Sequence, residues 1–183
     1  VGGNAGLSPR SESCMKVVVT GGAGFVGSNL VRHLQHVSEV TEIVVIDDLS
    51  FGFADNLDGL DLTFIEGSIL DEAVLESAVT GASAIVHLAA RSSVPRSVAH
   101  PIAAHEVNAT GTVRVLEAAR KVSDVHVIVA SSSSVYGAND ALPKHEKMVT
   151  RPVSPYAASK LATEAYTLAW GHSYAVPVLA LRF

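Results

Sequence analysis

Short runs of β-branched and other apolar residues alternate along the chain with longer amphipathic stretches. The short runs, Lys16–Thr20, Ile43–Asp47, Leu62–Glu66, Ala84–Leu88, Val125–Ala130 and Val178–Arg182, predict six strands. They are nearly continuous in apolar character rather than alternating, as expected where helices cover both faces of a sheet. The longer stretches Gly24–His36, Asp71–Val79, Ile102–Lys121 and Pro155–His172 predict helices. In the last of these Ser154 is a good N-cap and Pro155 suits the first helical position. Strand–helix–strand order with right-handed crossovers predicts an α/β fold, a Rossmann-type doubly wound parallel sheet with helices on both faces. Pro143–Pro152, polar and bounded by prolines, predicts a surface loop.

Composition adds exclusions. The chain of 183 residues is 48% hydrophobic and 17% charged, which favours a large buried core over disorder. A net charge of -5 offers no broad basic field for nucleic acid or an acidic membrane, and no apolar run approaches the roughly 18 residues of a membrane span. The single cysteine, Cys14, excludes an internal disulfide framework and a multi-cysteine metal site. The first fourteen residues lack the apolar core of a signal peptide, which makes a cytoplasmic location the default. The chain begins at Val1 and stops at Phe183 directly after an apolar run, so both ends read as cut. Val1–Cys14 reads as a disordered leader, with residues 15–183 forming the folded domain.

Candidate chemistry begins at Thr20–Gly27, TGGAGFVG, between the first strand and the first helix. Without Cβ atoms the backbone can turn tightly there, and the free N–H groups and positive dipole end of the helix favour a pyrophosphate. The spacing Gly21-x-x-Gly24-x-x-Gly27 is one residue wider at the first gap than G-x-G-x-x-G. Asp47 ends the second strand, where a carboxylate can accept hydrogen bonds from adenosine ribose hydroxyls and repel a 2′-phosphate, favouring NAD over NADP. Asp48 shares that role or is solvated.

Ser131-Ser132-Ser133-Ser134-Val135-Tyr136-Gly137 closes the fifth strand, at the end of the sheet where ligands bind in open α/β folds. Downstream, Tyr156 and Lys160 lie four residues apart and hence on one face of the predicted helix. An adjacent ammonium stabilises a phenolate, which turns a poor base into a usable one.

Together these segments resemble the extended short-chain dehydrogenase/reductase family, and within it the NAD-dependent nucleotide-sugar epimerases and dehydratases. The resemblance is carried by TGGAGFVG at 20–27, IDDLS at 46–50, HLAA at 87–90, NATGT at 108–112, SSSSVYG at 131–137 and SPYAASK at 154–160. It implies NAD as cofactor, with Gly21, Gly24, Phe25, Val26, Gly27, Asp47, Asp48, Leu49, Ser50 and Gly52 around the adenosine and pyrophosphate. Ser68 and Ile69 fall where the family usually has Asp-Ile or Asp-Leu at the adenine, so Asp47 carries more of the recognition. Leu88, Ala89, Ala90, Arg91 and Asn108 would lie along the cofactor, and Ser132, Tyr156 and Lys160 match the catalytic serine or threonine, tyrosine and lysine.

Within the family, 4,6-dehydratases carry an Asp-Glu pair directly after the catalytic hydroxyl; Ser133 and Ser134 occupy those positions here. The segment ARSSVPRSVAHP at 90–101 is similar to that of UDP-sugar 4-epimerases, particularly those accepting N-acetylated hexosamines. The resemblance therefore implies epimerisation at C4 of a UDP-hexose through a 4-keto sugar, in a homodimeric enzyme. Ser93, Ser132, Ser133 and Tyr156 would contact the UDP-sugar. Tyr156 would exchange the C4 hydroxyl proton, and Lys160 would hold the nicotinamide ribose. A UDP-glucuronate decarboxylase or epimerase, a 4-reductase, and a non-catalytic NAD-binding module are the alternatives. The resemblance implies a smaller C-terminal substrate domain past the sixth strand, expected to lie outside these 183 residues. The expectation for these 183 residues alone is NAD affinity without turnover.

Other residues carry weaker expectations. His33 and His36 are three apart on the first helix without a third partner of suitable spacing, so no metal site is expected. His87 either shapes the site or packs. Arg91 and Arg96 either meet a substrate phosphate or are solvated in a surface loop. Tyr166 and Trp170 read as packing residues and Tyr136 as a wall of the crevice.

Overall fold

The structure, a computed structural model, describes residues 14–183. Of the expected leader Val1–Cys14, all but Cys14 lies outside the described residues, and Cys14 is an exposed free thiol. Six strands, β1 (Met15–Thr20), β2 (Val40–Asp47), β3 (Thr63–Glu66), β4 (Ala84–His87), β5 (His126–Ala130) and β6 (Val178–Leu181), form one sheet. Their order is β3-β2-β1-β4-β5-β6 and every pair is parallel. In β1, Val17–Thr20 pairs with Ile43–Ile46 on one side and with Ala84–His87 on the other.

The continuous apolar runs have the expected cause. Val17, Val19, Ile43 and Val45 face α1 (Phe25–Leu34) and a 3-10 turn at Ala54–Leu57, in a core with Val31 and Leu57. Val18, Val44, Ile46, Ile85, Val127 and Val129 point the other way, towards α2 (Glu72–Val79) and the helices that follow β4. Each such side chain stabilises the fold by about 1.5–3 kcal/mol through burial. β2 starts three residues earlier than its apolar run, because Val40, Thr41 and Glu42 extend the ladder beyond the buried part of the sheet. Asp71 caps α2 rather than opening it, its Oδ1 accepting from Ala73 N at 2.9 Å and Val74 N at 3.3 Å.

The segment between β4 and β5 corrects the sequence reading twice. ARSSVPRSVAHP is not a plain loop: α3 (Val94–Ala99) forms within it, with Ser93 as N-cap and Pro95 in its first turn. The single helix expected over Ile102–Lys121 is a rod of three parts, α4 (Pro101–His105), a π-helical turn (Glu106–Thr110) and α5 (Gly111–Arg120). After β5 a 3-10 turn (Ser133–Tyr136) leads to the Pro143–Pro152 stretch, which forms no helix or strand, and then to α6 (Pro155–Tyr174). Ser154 caps α6 as expected, accepting from Ala157 N at 3.1 Å. Tyr166, Trp170 and Tyr174 form an aromatic row along α6; Trp170 Nε1 donates to Glu117 of α5 at 2.9 Å and ties the two helices, whereas Tyr166 is 43% exposed rather than packed as expected.

Candidate functional site

The glycine turn is shaped by close approaches that only glycine permits. Gly21 has φ +73°, and a Cβ there would lie 2.6 Å from Ala89 N in the loop after β4. At Gly27 a Cβ would meet Gly21 O at 2.3 Å, so α1 packs directly onto the turn. Asp47 locks the same turn from the end of β2. Its Oδ2 accepts from Ala23 N and its Oδ1 from Leu49 N, both at 2.9 Å. Burial pushes the Asp47 carboxyl above its ordinary pKa, the two backbone donors pull it down, and the Asp48 charge adds to the rise. Gly24 caps α1 without a side-chain bond, and no acidic residue occupies the first turn. The leading N–H groups of α1 are thus left for an anion.

A cavity of about 380 Å³ opens over this turn, at the carboxyl ends of β1 to β4. Here the strand order reverses direction, which is where open α/β sheets bind ligands. Gly21, Gly24, Phe25, Val26, Gly27, Asp47, Asp48, Ser50, Gly52, Ser68, Ile69, Leu88, Ala89, Ala90 and Arg91 all line it. The sequence reading missed Ile46, Phe51, Gly67, Ser92 and Val107, which complete the wall. Four residues expected at the cofactor do not line it: Leu49, Asn108, Tyr156 and Lys160. Leu49 turns its side chain into the α1-side core, with its backbone at φ 55°. Asn108 lies behind the wall and holds it in place: Oδ1 accepts from Arg91 N at 2.7 Å and Nδ2 donates to Arg91 O at 3.2 Å. Ser68 Oγ accepts from Leu70 N at 3.2 Å, a local turn contact. Arg91 and Arg96 both stack on Phe51, with guanidinium carbons 5.6 and 4.8 Å from the ring centroid. Arg91 Nε is buried without a partner among the described residues.

Tyr156, Lys160 and Ser132 are not part of this cavity's lining. Tyr156 and Lys160 share one face of α6, one turn apart. The first turn of α6 is tied to α3, Tyr156 N donating to Ser97 Oγ at 3.0 Å. Ser97, 2% exposed, is a residue the sequence reading overlooked; its signal was the Ser93–Pro95 helix start. Lys160 is 4% exposed, and burial lowers its pKa to about 8 with no carboxylate or acceptor of the described residues offsetting that cost. Ser132 caps the 3-10 turn, its Oγ accepting from Ser134 N at 3.2 Å and from Ser134 Oγ at 2.8 Å. Ser133 is exposed on that turn, and Ser93 Oγ caps α3 through Arg96 N at 3.3 Å.

Behind these groups runs a buried polar network. His87 Nδ1 meets Thr20 Oγ1 at 2.7 Å and Nε2 meets Thr112 Oγ1 at 3.1 Å. Thr112 and Thr163 both donate to Asn108 O, and Asn108 Nδ2 donates to Ser159 Oγ at 2.9 Å. Burial, with Lys160 nearby, lowers the His87 pKa to about 3, so the ring is neutral. His87 therefore braces the site from behind. Tyr136 is a correction: it is 4% exposed, and its hydroxyl accepts from Arg182 Nη1 at 3.1 Å instead of walling the crevice.

A family model described as the NAD dependent epimerase/dehydratase family matches residues 17–183. The chain belongs to that family. Among its relatives, the UDP-glucose 4-epimerase of Mycolicibacterium smegmatis is 43% identical over an alignment of 164 residues that covers 83% of this chain and 50% of that protein. Among solved structures, a UDP-N-acetylglucosamine 4-epimerase from Methanobrevibacter ruminantium, in complex with UDP-N-acetylmuramic acid, superposes with TM-score 0.86 at 37% identity. That match covers 93% of this chain and 55% of the other. A dTDP-glucose 4,6-dehydratase from Streptomyces venezuelae, with NAD and TYD bound, gives TM-score 0.88 at 36% identity over 92% of this chain and 55% of the other. The chain thus spans about half the length of the relatives it matches. Family membership agrees with the doubly wound sheet and makes a dinucleotide the expected occupant of the cavity. The residues present fit such a cofactor: a backbone cradle that Cβ atoms would fill, uncapped helix N–H groups, and an ammonium left without a protein partner.

Proposed function

We propose that the protein carrying this chain is an NAD-dependent nucleotide-sugar epimerase that inverts C4 of a UDP-hexose. The observation that carries the reading is Lys160, a buried residue whose ammonium has no compensating group among the described residues, on the same face of α6 as Tyr156. Burying an unpaired charge is costly, and a lysine serving only the fold would be paired or exposed. The presence of Ser132 and Tyr156 alongside Lys160, groups that cofactor binding alone does not need, speaks against a non-catalytic binding module.

The glycine turn and the first N–H groups of α1 would hold the cofactor's pyrophosphate, and Asp47 or Asp48 its adenosine ribose. NAD, when bound, supplies a reversible hydride acceptor. The protein's part is proton handling and orientation. Tyr156 Oη takes the proton from the sugar's C4 oxygen and later returns it. Lys160 places a positive charge one helical turn away, which favours negative charge on that oxygen, and its ammonium is free to bind ribose hydroxyls. Ser132 Oγ donates to the reacting C4 oxygen and fixes its position. Ser133 and Ser134 offer only hydroxyls where dehydratases carry an acid and a base, which supports epimerisation over water elimination.

Tyr156→Phe in the full-length protein tests this. Interconversion of UDP-glucose and UDP-galactose, or of their N-acetylamino forms, should fall by about 10²–10⁴-fold while NAD stays bound. Near-normal epimerisation by that variant sinks the assignment. Decarboxylation of UDP-glucuronate by the unaltered protein, seen by NMR, would replace it with the decarboxylase reading.

A further inference from the structure

One largely buried ion pair, between buried Glu164 and half-buried Arg182, is not used by the chemistry above. Glu164, 8% exposed, lies on α6 one turn beyond Lys160 and two turns beyond Tyr156. Its carboxylate receives a two-pronged contact from Arg182, just after β6: Nε to Oε2 at 2.9 Å and Nη2 to Oε1 at 2.5 Å. Oε2 also accepts from Ser131 Oγ at 2.9 Å, and Ser131 is the residue before Ser132. Arg182 Nη1 reaches on to Tyr136 Oη at 3.1 Å, while the guanidinium carbon lies 5.0 Å from the Tyr136 ring centroid. The two charges therefore join four pieces of chain: the end of β6, the helix bearing Tyr156 and Lys160, the strand end bearing Ser132, and the 3-10 turn at Ser133–Tyr136.

We propose that Glu164 and Arg182 are positioning residues, whose ion pair fixes the Ser132 end of β5 against the α6 face that carries Tyr156 and Lys160. Several features favour this over a pair that merely adds stability. The fork-to-fork geometry defines orientation as well as distance, which a point charge would not. Ser131 and Tyr136 hang on the pair from opposite sides of Ser132, so any shift of the pair moves that serine. Glu164 is committed to Arg182 and leaves the Lys160 ammonium uncompensated, although the two residues are one turn apart. Ion pairs withdrawn from water stabilise less than apolar packing of the same volume would, and in some proteins they specify geometry instead.

This inference rests on the roles proposed for Ser132, Tyr156 and Lys160, so its test needs an arm that does not depend on turnover. Glu164→Gln, Arg182→Lys and Ser131→Ala would be made in the full-length protein. Amide hydrogen exchange over residues 132–137 reads the clamp, because Ser133 N is held by Phe183 O, Val135 N by Ser132 O and Gly137 N by Ser134 O. Exchange there should quicken by about tenfold in Glu164→Gln and Arg182→Lys, and less in Ser131→Ala, with β1 to β3 unchanged. In the same proteins kcat should fall by about 10- to 100-fold, with KM within about twofold and NAD retained, as expected when a reacting group is displaced but binding is not. Arg182→Lys keeps the charge without the fork, so full rescue by it overturns the proposal. So does unchanged exchange at 132–137, or faster exchange with kcat unaltered. Should Glu164→Gln fail to fold, Ser131→Ala removes one contact only and decides the matter alone. Absence of turnover in the unaltered protein would instead overturn the proposed function and leave the exchange arm to judge the clamp.

Discussion

Replacing Lys160 by methionine should make the cofactor-free protein more stable near neutrality, and the gain should vanish in alkali. Lys160 as a residue is 4% exposed, and burial alone lowers its pKa from 10.5 to about 8. A lysine whose folded pKa is lowered is the reverse of the usual paired case. The unfolded chain binds the proton more tightly, so stability is withheld below about pH 8 and recovered as pH rises towards about 10.5. The interval corresponds to about 3 kcal/mol at pH 7, falling to about 1 kcal/mol at pH 10. Methionine has similar length and no charge to desolvate. Urea unfolding of both proteins between about pH 7 and 10 should show the stability gap between variant and parent narrowing by about 2–3 kcal/mol. The narrowing isolates the ammonium, because a constant packing difference cancels. A gap that stays flat across this range would refute the reasoning. With NAD bound, hydroxyl partners for the ammonium should raise its pKa and shrink the gap even at neutrality.

Two further predictions follow from the same physics. Gly27→Ala would drive a Cβ to 2.3 Å from Gly21 O and 2.6 Å from Gly22 Cα; a loss of about 1–3 kcal/mol in chemical denaturation, with NAD binding weakened, is expected. An unchanged midpoint and affinity would mean that the turn gives way more easily than its backbone contacts indicate. His87, with its pKa lowered to about 3, should remain neutral at about pH 5 in imidazole nitrogen NMR spectra. The fold then loses stability as pH falls from 6.5 towards about 3, since the unfolded chain takes up the proton first, and a His87→Gln variant should lack that share of the acid sensitivity.

The strands were legible because each is apolar on both sides and short, a signature that few other elements share. The glycine turn, Asp47 and the Tyr156–Lys160 pair were legible because their chemistry depends on local spacing. The contributions of Asn108 and His87 were not, since each depends on partners far along the chain: Asn108 on Arg91 and Ser159, His87 on Thr20 and Thr112. Leu49 misled for a different reason. It follows two residues that do line the cavity, and a left-handed backbone at that one position swings its side chain into the core. α3 was hidden by its brevity, six residues carrying too little periodicity to stand out from a loop. The Glu164–Arg182 pair has no local signal, because eighteen residues and a helix end separate its members.

The π turn at Glu106–Thr110 limits how this rod could be redesigned. An α-helix advances about 100° per residue, so the extra residue held in the wide turn sets the azimuth of everything on one side relative to the other. Trimming one residue to make a regular helix would leave α5 against the sheet or keep Asn108 against Arg91, but not both. The irregular turn acts as a phase shifter, and a smoother helix would be a worse part.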